Sequence, residues 1–219
     1  MSTQRNAHLT SLRIGTDPEG WRSAGFNVLE LKQEPPTCFI YDVPLKFHNE
    51  SAQRGIYAIG TRNINRVIDG LEFFVDLPNT EKNLGYSSHP NFVSRIDHIV
   101  VTTPDCDRTT KALEETGIEL RRVRTFGVGE REMRQTFFWL GDVILELVGP
   151  DIKSGDEPAE IWGLALISEQ IEKTVEFLGD FTTPLKPAVQ PGRHITTIKT
   201  KIFGIDDALA VMTPHSRNR

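Results

Sequence analysis

The stretch RIDHIVV, residues 95–101, decides how the rest of the chain is interpreted, because a second apolar stretch, IWGLALI, follows at residues 161–167. Both are typical of buried β-strands. After each stretch a short helical pattern ends at a glycine, Gly117 in the first case and Gly179 in the second. The order of a strand followed by a helix therefore occurs twice.

The residues after each predicted helix extend this repetition. Further strands are predicted at residues 118–125, 134–140 and 143–148 in the first copy, and at residues 193–199 and 208–212 in the second. Both copies end on a proline two residues beyond the last strand position, Pro150 and Pro214. An internal repeat of one βαβββ module, at residues 94–150 and 159–214, is the economical explanation.

Residues 1–91 are predicted to form a separate α+β segment, joined to a domain at residues 92–214 by a polar connection at residues 79–91. The pattern of this segment indicates strands and helices in turn. The strands are predicted at residues 12–14, 38–47 and 55–60, and the helices at residues 17–26 and 65–71. One interpretation of the segment is an incomplete third copy of the module.

The bulk composition excludes several classes of protein. With 219 residues, 38% of them hydrophobic and 25% charged, the chain is ordinary for a globular protein. Its net charge of −5 is spread along the length without a basic stripe, so no nucleic-acid partner is expected. No apolar run approaches the roughly 20 residues of a membrane span, and the first residues lack the apolar core of a secretory signal. We therefore expect a cytoplasmic protein without a membrane partner.

Three short motifs carry a family resemblance: I-D-H-I-V-V in the first strand, T-G-I-E-L after the helix, and V-I-L-E-L-V-G-P in the last strand. Over about the last 120 residues the chain resembles the vicinal-oxygen-chelate superfamily of glyoxalases, bleomycin-resistance proteins and extradiol dioxygenases. The resemblance implies an α+β fold whose paired modules form a cupped mixed sheet around a divalent metal. It implies His98 and Glu146 as metal ligands and catalytic groups.

The chemistry of such a site depends on a divalent metal that holds two adjacent oxygens of a substrate and stabilises developing negative charge. An imidazole with a carboxylate suits Zn, Fe, Mn or Ni. Strand alternation places His98 in phase with Val100, and Glu146 in phase with Ile144, so each polar group lies among apolar neighbours. Because burial of both groups is costly, they need a metal, or else hydrogen bonds to each other or to the backbone.

The second copy departs from the pattern. Its positions equivalent to His98 and Glu146 are Gly163 and Ala210, and neither can bind a metal. The inward set of small residues there, completed by Ala165 and Ala208, leaves either a ligand cavity or a space that bulky side chains of the amino-terminal segment fill. The ligand set is therefore incomplete, because a catalytic metal normally has three protein ligands.

His194, on a strand of the second copy, is the best candidate for a third metal ligand. Arg193 would line the cup beside it, and Gln135 and Arg134 would hold the corresponding places in the first copy. Either arginine could bind a ligand carboxylate through its planar guanidinium. The alternative is that all four are solvated residues at strand edges.

The other histidines, His48, His89 and His215, lie in polar, loop-like sequence and are interpreted as surface residues.

Three functional hypotheses follow. The first is a metal-assisted lyase, isomerase or dioxygenase of the glyoxalase type, acting on a substrate with adjacent oxygens. The second is a small-molecule-binding protein of the bleomycin-resistance type, in which Gln135, Arg134, Gly163, Ala210 and Arg193 would line the site and the metal site is degenerate. The third is a scaffold or a homodimer in which the repeat has only structural value, and the sequence alone does not separate it from the others.

Overall fold

The computed structural model describes residues 7–49, 52–77 and 88–215. Its three α-helices are α1 (Glu19–Ser23), α2 (Cys106–Glu114) and α3 (Ile171–Leu178). Its strands in the first half are β1 (Leu9–Ile14), β2 (Val28–Leu29), β3 (Thr37–Ile40), β4 (Val43–Phe47), β5 (Ile56–Thr61), β6 (Arg66–Ile68) and β7 (Leu71–Val75). Those of the second half are β8 (Val93–Thr102), β9 (Leu120–Phe126), β10 (Met133–Leu140), β11 (Val143–Pro150), β12 (Glu160–Ser168), β13 (Lys186–Pro187), β14 (His194–Ile198) and β15 (Ala208–Met212).

The strands form two mixed sheets. The eight-stranded sheet has the order β13-β14-β15-β12-β8-β11-β10-β9, and the seven-stranded sheet has the order β2-β3-β4-β1-β5-β7-β6. In each copy of the repeat the first strand lies beside the fourth, as in β8-β11-β10-β9 and β12-β15-β14-β13. The predicted α+β fold of paired βαβββ modules is therefore confirmed.

The amino-terminal segment contains more than an incomplete third copy. Strand β1, helix α1 and strands β2 to β4 have the complete βαβββ order, with β1 beside β4. A shortened copy follows, in which the first strand β5 lies beside the last strand β7 and the middle strand β6 lies beyond it, but no helix lies within residues 52–77. The sequence predicted only an incomplete copy, because a two-residue strand such as β2 is too short to give a pattern.

Two local predictions in this segment were wrong because tight turns were overlooked. The strand predicted at residues 38–47 is the hairpin of β3 and β4, in which Ile40 pairs with Val43 and Tyr41 has a φ of 58°. The helix predicted at residues 65–71 is instead the hairpin of β6 and β7. Its turn residues, Asp69 and Gly70, have φ angles of 47° and 92°. An Asp-Gly pair with positive φ at both positions is a strong hairpin signal.

The chain divides into two compact units, each assembled from separate segments. Unit 1 consists of Met1–Leu12, Tyr57–Asn79 and His98–Gly163, and unit 2 of Arg13–Ile56, Thr80–Asp97 and Leu164–Arg219. The connection predicted at residues 79–91 lies largely outside the described residues. In the described part of the chain, no helix is long and apolar enough to cross a membrane.

Within unit 1, the eight-stranded sheet has two unlike faces. One face is largely buried and packs against α2, whose Leu113 is fully buried. The other is defined here as the half-open face, because nearly all of its side chains are partly exposed. Its residues are His98, Val100 and Thr102 of β8, Ile144, Glu146 and Val148 of β11, and Met133, Gln135, Phe137 and Trp139 of β10. Because side chains alternate between the two faces of a strand, these residues of three neighbouring strands all lie within reach of solvent.

In unit 2, His89 is not the surface residue that the sequence predicted. It is buried, its Nδ1 accepts a hydrogen bond of 3.0 Å from the Asn27 backbone N–H, and its Nε2 lies 3.1 Å from the Phe39 carbonyl oxygen. Burial lowers the pKa of His89 below its usual value of 6.5. The neutral ring, with the proton on Nε2, satisfies both contacts. His89 is thus a structural link between distant segments of unit 2.

Candidate functional site

His98 and Glu146 meet on the half-open face. In the parallel pairing of β8 and β11, His98 lies opposite Ile144, so Glu146 is its diagonal neighbour on the same face. The His98 Nε2 lies 2.9 Å from the Glu146 Oε2, and the two side chains are only 12% and 9% exposed. The structure thus brings together the two residues that the sequence singled out, while their role as catalytic groups stays a prediction.

Two further polar side chains extend this pair. The Gln135 amide Nε2 donates a hydrogen bond to the Glu146 Oε1, and the Gln135 carbonyl Oε1 accepts one from the Arg124 Nε. Gln135 and Arg124 face each other directly in the antiparallel pairing of β10 and β9. The four residues form a continuous polar relay across four neighbouring strands, Arg124, Gln135, Glu146 and His98 in order.

The relay satisfies the groups whose burial would otherwise be costly. Both oxygens of Glu146 have partners, one from His98 and one from Gln135. A buried carboxylate with two hydrogen-bond donors no longer carries the full desolvation cost of an isolated charge. Burial alone therefore does not require a metal at this position, because the residues of the relay satisfy the Glu146 carboxylate by themselves.

The donor set does not fit a catalytic metal centre. Such centres have three protein ligands, whereas this face offers His98 and Glu146, which bind each other. The side-chain oxygen of Gln135 accepts a hydrogen bond from the positively charged Arg124, which disfavours a cation beside it. Throughout residues 7–49, 52–77 and 88–215, no group of three or more His, Cys, Asp or Glu side chains could hold a metal ion.

The second copy supplies no polar side chain at the equivalent positions. Gly163 is buried on β12, and Ala210 lies opposite Thr197 in the pairing of β14 and β15. Within unit 2, Met212, in phase with Ala210, packs with Ala165 and Ile167 in a small apolar cluster. This part of the sheet is lined by small and apolar groups rather than by metal ligands.

Arg134 lies on the opposite face of the sheet from Gln135, the face that α2 covers. Its guanidinium forms ion pairs with Asp107 at the start of α2 and with Asp151 just beyond β11, the latter at 2.7 Å. These two carboxylates raise the pKa of Arg134 further above its usual value. The side chain therefore fastens α2 to the sheet, and its charge is already matched by two carboxylates.

Arg193 is also committed to neighbours within unit 2. Its guanidinium donates to the Asp97 Oδ1 at 3.0 Å and to the Thr213 carbonyl oxygen at 2.7 Å, and its side chain is only 1% exposed. His194, in contrast, is exposed, and its backbone N–H donates to the Thr213 Oγ1. A metal-binding role for His194 and a ligand-binding role for Arg193 stay predictions.

Arg124 is the member of the relay that sequence reasoning missed. The predicted strand at residues 118–125 included it, but the sequence did not predict how that strand pairs with β10, where a register shift lies between Phe137 and Phe138. Such a bulge reverses the alternation of side chains beyond it. Arg124 lies on the regular side of this shift, directly opposite Gln135, and no local signal in the sequence gives that register.

No protein-family model matches the sequence, and no curated protein matches it significantly. Several solved structures match the fold. A variant of 4-hydroxymandelate synthase from Streptomyces coelicolor is 11% identical, and the match covers 97% of this chain and 94% of that chain with a TM-score of 0.64. A variant of homoprotocatechuate 2,3-dioxygenase from B. fuscum is 13% identical, with coverage of 98% and 73% and a TM-score of 0.57.

A third structure, a fusion of a xylose isomerase-like TIM barrel with 4-hydroxyphenylpyruvate dioxygenase, is 11% identical over 97% of this chain and 50% of that chain, with a TM-score of 0.65. At such low identity these matches show the fold alone. They span nearly the whole chain, so the likeness includes the amino-terminal segment that the sequence motifs did not reach. Together with the repeated strand order, they show that the chain has the fold of the vicinal-oxygen-chelate superfamily.

Proposed function

We propose that this protein binds a small organic molecule on the half-open face of unit 1. The observation that carries the proposal is the position of His98, Glu146 and Gln135 of the relay, three hydrogen-bonding groups in the middle of a partly exposed, largely apolar sheet face. Small-molecule sites typically have this composition, with mostly apolar walls and a few convergent polar groups that fix the orientation of the ligand.

The surroundings of the relay support an aromatic or aliphatic ligand. Phe137 lies directly opposite Glu146 in the pairing of β10 and β11, and Val100 lies opposite Glu146 in the pairing of β8 and β11. Both side chains are partly exposed. A ligand over these residues would remove their apolar surface from water, at about 25 cal/mol for each Å² buried.

The polar pair determines what the site can do chemically. The Glu146 carboxylate has about four acceptor sites and uses two of them for His98 and Gln135, so a hydroxyl group of a ligand has an acceptor here. A carboxylate that holds an imidazole in place is also the arrangement of a general acid and base. Proton transfer to or from a bound ligand is therefore within reach of this pair without a metal.

Replacing Glu146 with glutamine is expected to weaken ligand binding at least about tenfold, because a hydrogen bond to a charged group contributes about 1.5–3 kcal/mol. The measurement is isothermal titration calorimetry with a compound selected by thermal shift from small aromatic and aliphatic molecules. Glu114→Gln, an exposed change on α2, is the matched control and should leave affinity unchanged. Equal affinity of the Glu146→Gln variant and the native protein would place the ligand elsewhere.

Metal analysis tests the second candidate function, a metal-assisted lyase, isomerase or dioxygenase. Because the described residues provide only two donors on this face, protein purified without chelators is expected to carry less than about 0.1 transition-metal ion per chain. The measurement is elemental analysis by mass spectrometry. About one ion per chain, lost in both His98→Ala and Glu146→Ala, would instead favour the metal-dependent enzyme.

A further inference from the structure

The edge strand β9 carries an excess of positive charge. Three of its seven residues are arginines, Arg121, Arg122 and Arg124, and none is acidic. None of the three forms an ion pair with a carboxylate in the described part of the chain. On a protein with a net charge of −5, a strand with unmatched arginines is a local site of positive potential.

Arg124 is held in a defined position at this edge. Its Nε donates to the Gln135 Oε1, and its guanidinium carbon lies 6.0 Å from the centre of the Phe126 ring. The Nε–H of the guanidinium is thus hydrogen-bonded within the sheet, while the N–H groups of its two terminal amino groups are available to a ligand. A planar group with two free parallel donors matches a carboxylate or a phosphate.

Arg122 lies on the same face of the strand, directly opposite Phe137 in the pairing of β9 with β10. Arg121 stacks over Trp139, with its guanidinium carbon 4.5 Å from the ring centre. Aromatic rings and guanidinium groups therefore alternate along this edge of the half-open face. Such a surface favours a ligand that combines a flat apolar body with a negative charge.

The dimensions of the face set the size of that ligand. Adjacent strands lie about 4.8 Å apart, so β8 and β9, separated by three such spacings, lie about 14 Å apart. A molecule with its acidic group at Arg124 and an apolar body over Phe137 would point its far end toward Glu146 and His98. This span suits a small organic acid rather than a polymer.

We propose that the ligand of the half-open face is an organic anion, a carboxylate or a phosphate ester, whose acidic group binds the terminal amino groups of Arg124. The inference rests on the proposed small-molecule site and adds the chemical class of its ligand. Glu146, which is negatively charged itself, lies two strands away from this anchor and excludes the reverse orientation of the ligand.

Three related probes test this inference: benzoate, the neutral isostere benzamide, and phenyl phosphate. In titrations followed by NMR on the ¹⁵N-labelled full chain, benzoate is expected to bind at least about tenfold more tightly than benzamide. The shifts should include the Arg124 Nε resonance and the backbone amides of β9 and β10. Tighter binding of phenyl phosphate than of benzoate would assign the natural ligand to phosphate esters, and the opposite order to carboxylates.

In the Arg124→Gln variant the preference for benzoate over benzamide is expected to fall to within about twofold. Arg66→Gln removes the same charge from an exposed position on β6 and should keep the full preference. Binding of both anions without a contribution from Arg124, or no binding of either anion, would overturn the inference. If benzamide still binds and Glu146→Gln weakens it, the proposed small-molecule site stands while the anionic class of its ligand fails.

Discussion

Replacing Asp97 with alanine is expected to lower the free energy of unfolding by about 3–5 kcal/mol, because it leaves the guanidinium of Arg193 buried without its counterion. The Arg193 side chain is 1% exposed and that of Asp97 is 15% exposed, and both terminal amino groups of the arginine face the carboxylate, at 3.0 and 3.5 Å. The measurement is urea-induced unfolding followed by tryptophan fluorescence.

Two further variants separate the effect of burial on the stability of this ion pair from the effect of its charges. Glu169→Ala breaks the ion pair between Arg95 and Glu169, two side chains that are about half exposed. This change is expected to lower the free energy of unfolding by less than about 1 kcal/mol. The double variant Asp97→Leu with Arg193→Met removes both charges together and is expected to recover most of the lost stability. A loss of less than about 1 kcal/mol for Asp97→Ala would show that water reaches the guanidinium.

The sequence predicted those parts of the fold that depend on local pattern. The apolar run of β8 and its counterpart β12 were found because buried strands have nearly continuous apolar sequence. The meeting of His98 and Glu146 could be predicted because both positions followed from matching the motifs to one superfamily. Their contact needs only the adjacency of the first and fourth strands, which every copy of the module shares.

The parts that could not be predicted depend on partners distant in sequence. The partner of Arg193, Asp97, is 96 positions away, so nothing near Arg193 in the sequence distinguishes a buried structural arginine from a ligand-binding one. Arg124 joins the relay only through the register of β9 with β10. His89 is buried because Asn27 and Phe39 bind its two ring nitrogens, and neither is near it in the sequence.

Asp207 is a buried carboxyl group in unit 2 that the proposed site does not use. It is 4% exposed, and its Oδ1 accepts a hydrogen bond of 2.7 Å from the Ile56 backbone N–H. Its Oδ2 is buried and has no hydrogen-bond partner among the described residues. Burial, assisted by the neighbouring charge of Asp206, raises the pKa of Asp207 from 3.8 to about 6.

The second large prediction is a pH-dependent difference in stability between the Asp207→Asn variant and the native protein. Because the native state holds the proton of Asp207 more tightly than the unfolded state, the stability contributed by this group is fully present below pH 3.8 and is lost as the pH rises to about 6. Relative to the native protein, Asp207→Asn is therefore expected to gain about 2–3 kcal/mol between pH 4 and pH 8.

The comparison isolates Asp207 because all other titrating groups, including the buried His89, contribute equally to both proteins and cancel in the difference. The asparagine keeps the carbonyl that accepts from Ile56 and cannot ionise, so its own contribution is independent of pH. Asp206→Asn, at an exposed neighbouring carboxylate, is the matched control, and its stability relative to the native protein should change by well under about 1 kcal/mol between pH 4 and pH 8. If the stability difference between Asp207→Asn and the native protein stays constant from pH 4 to pH 8, Asp207 has the same pKa in the folded and unfolded states. The burial of Oδ2 without a hydrogen-bond partner among the described residues is the reason to expect otherwise.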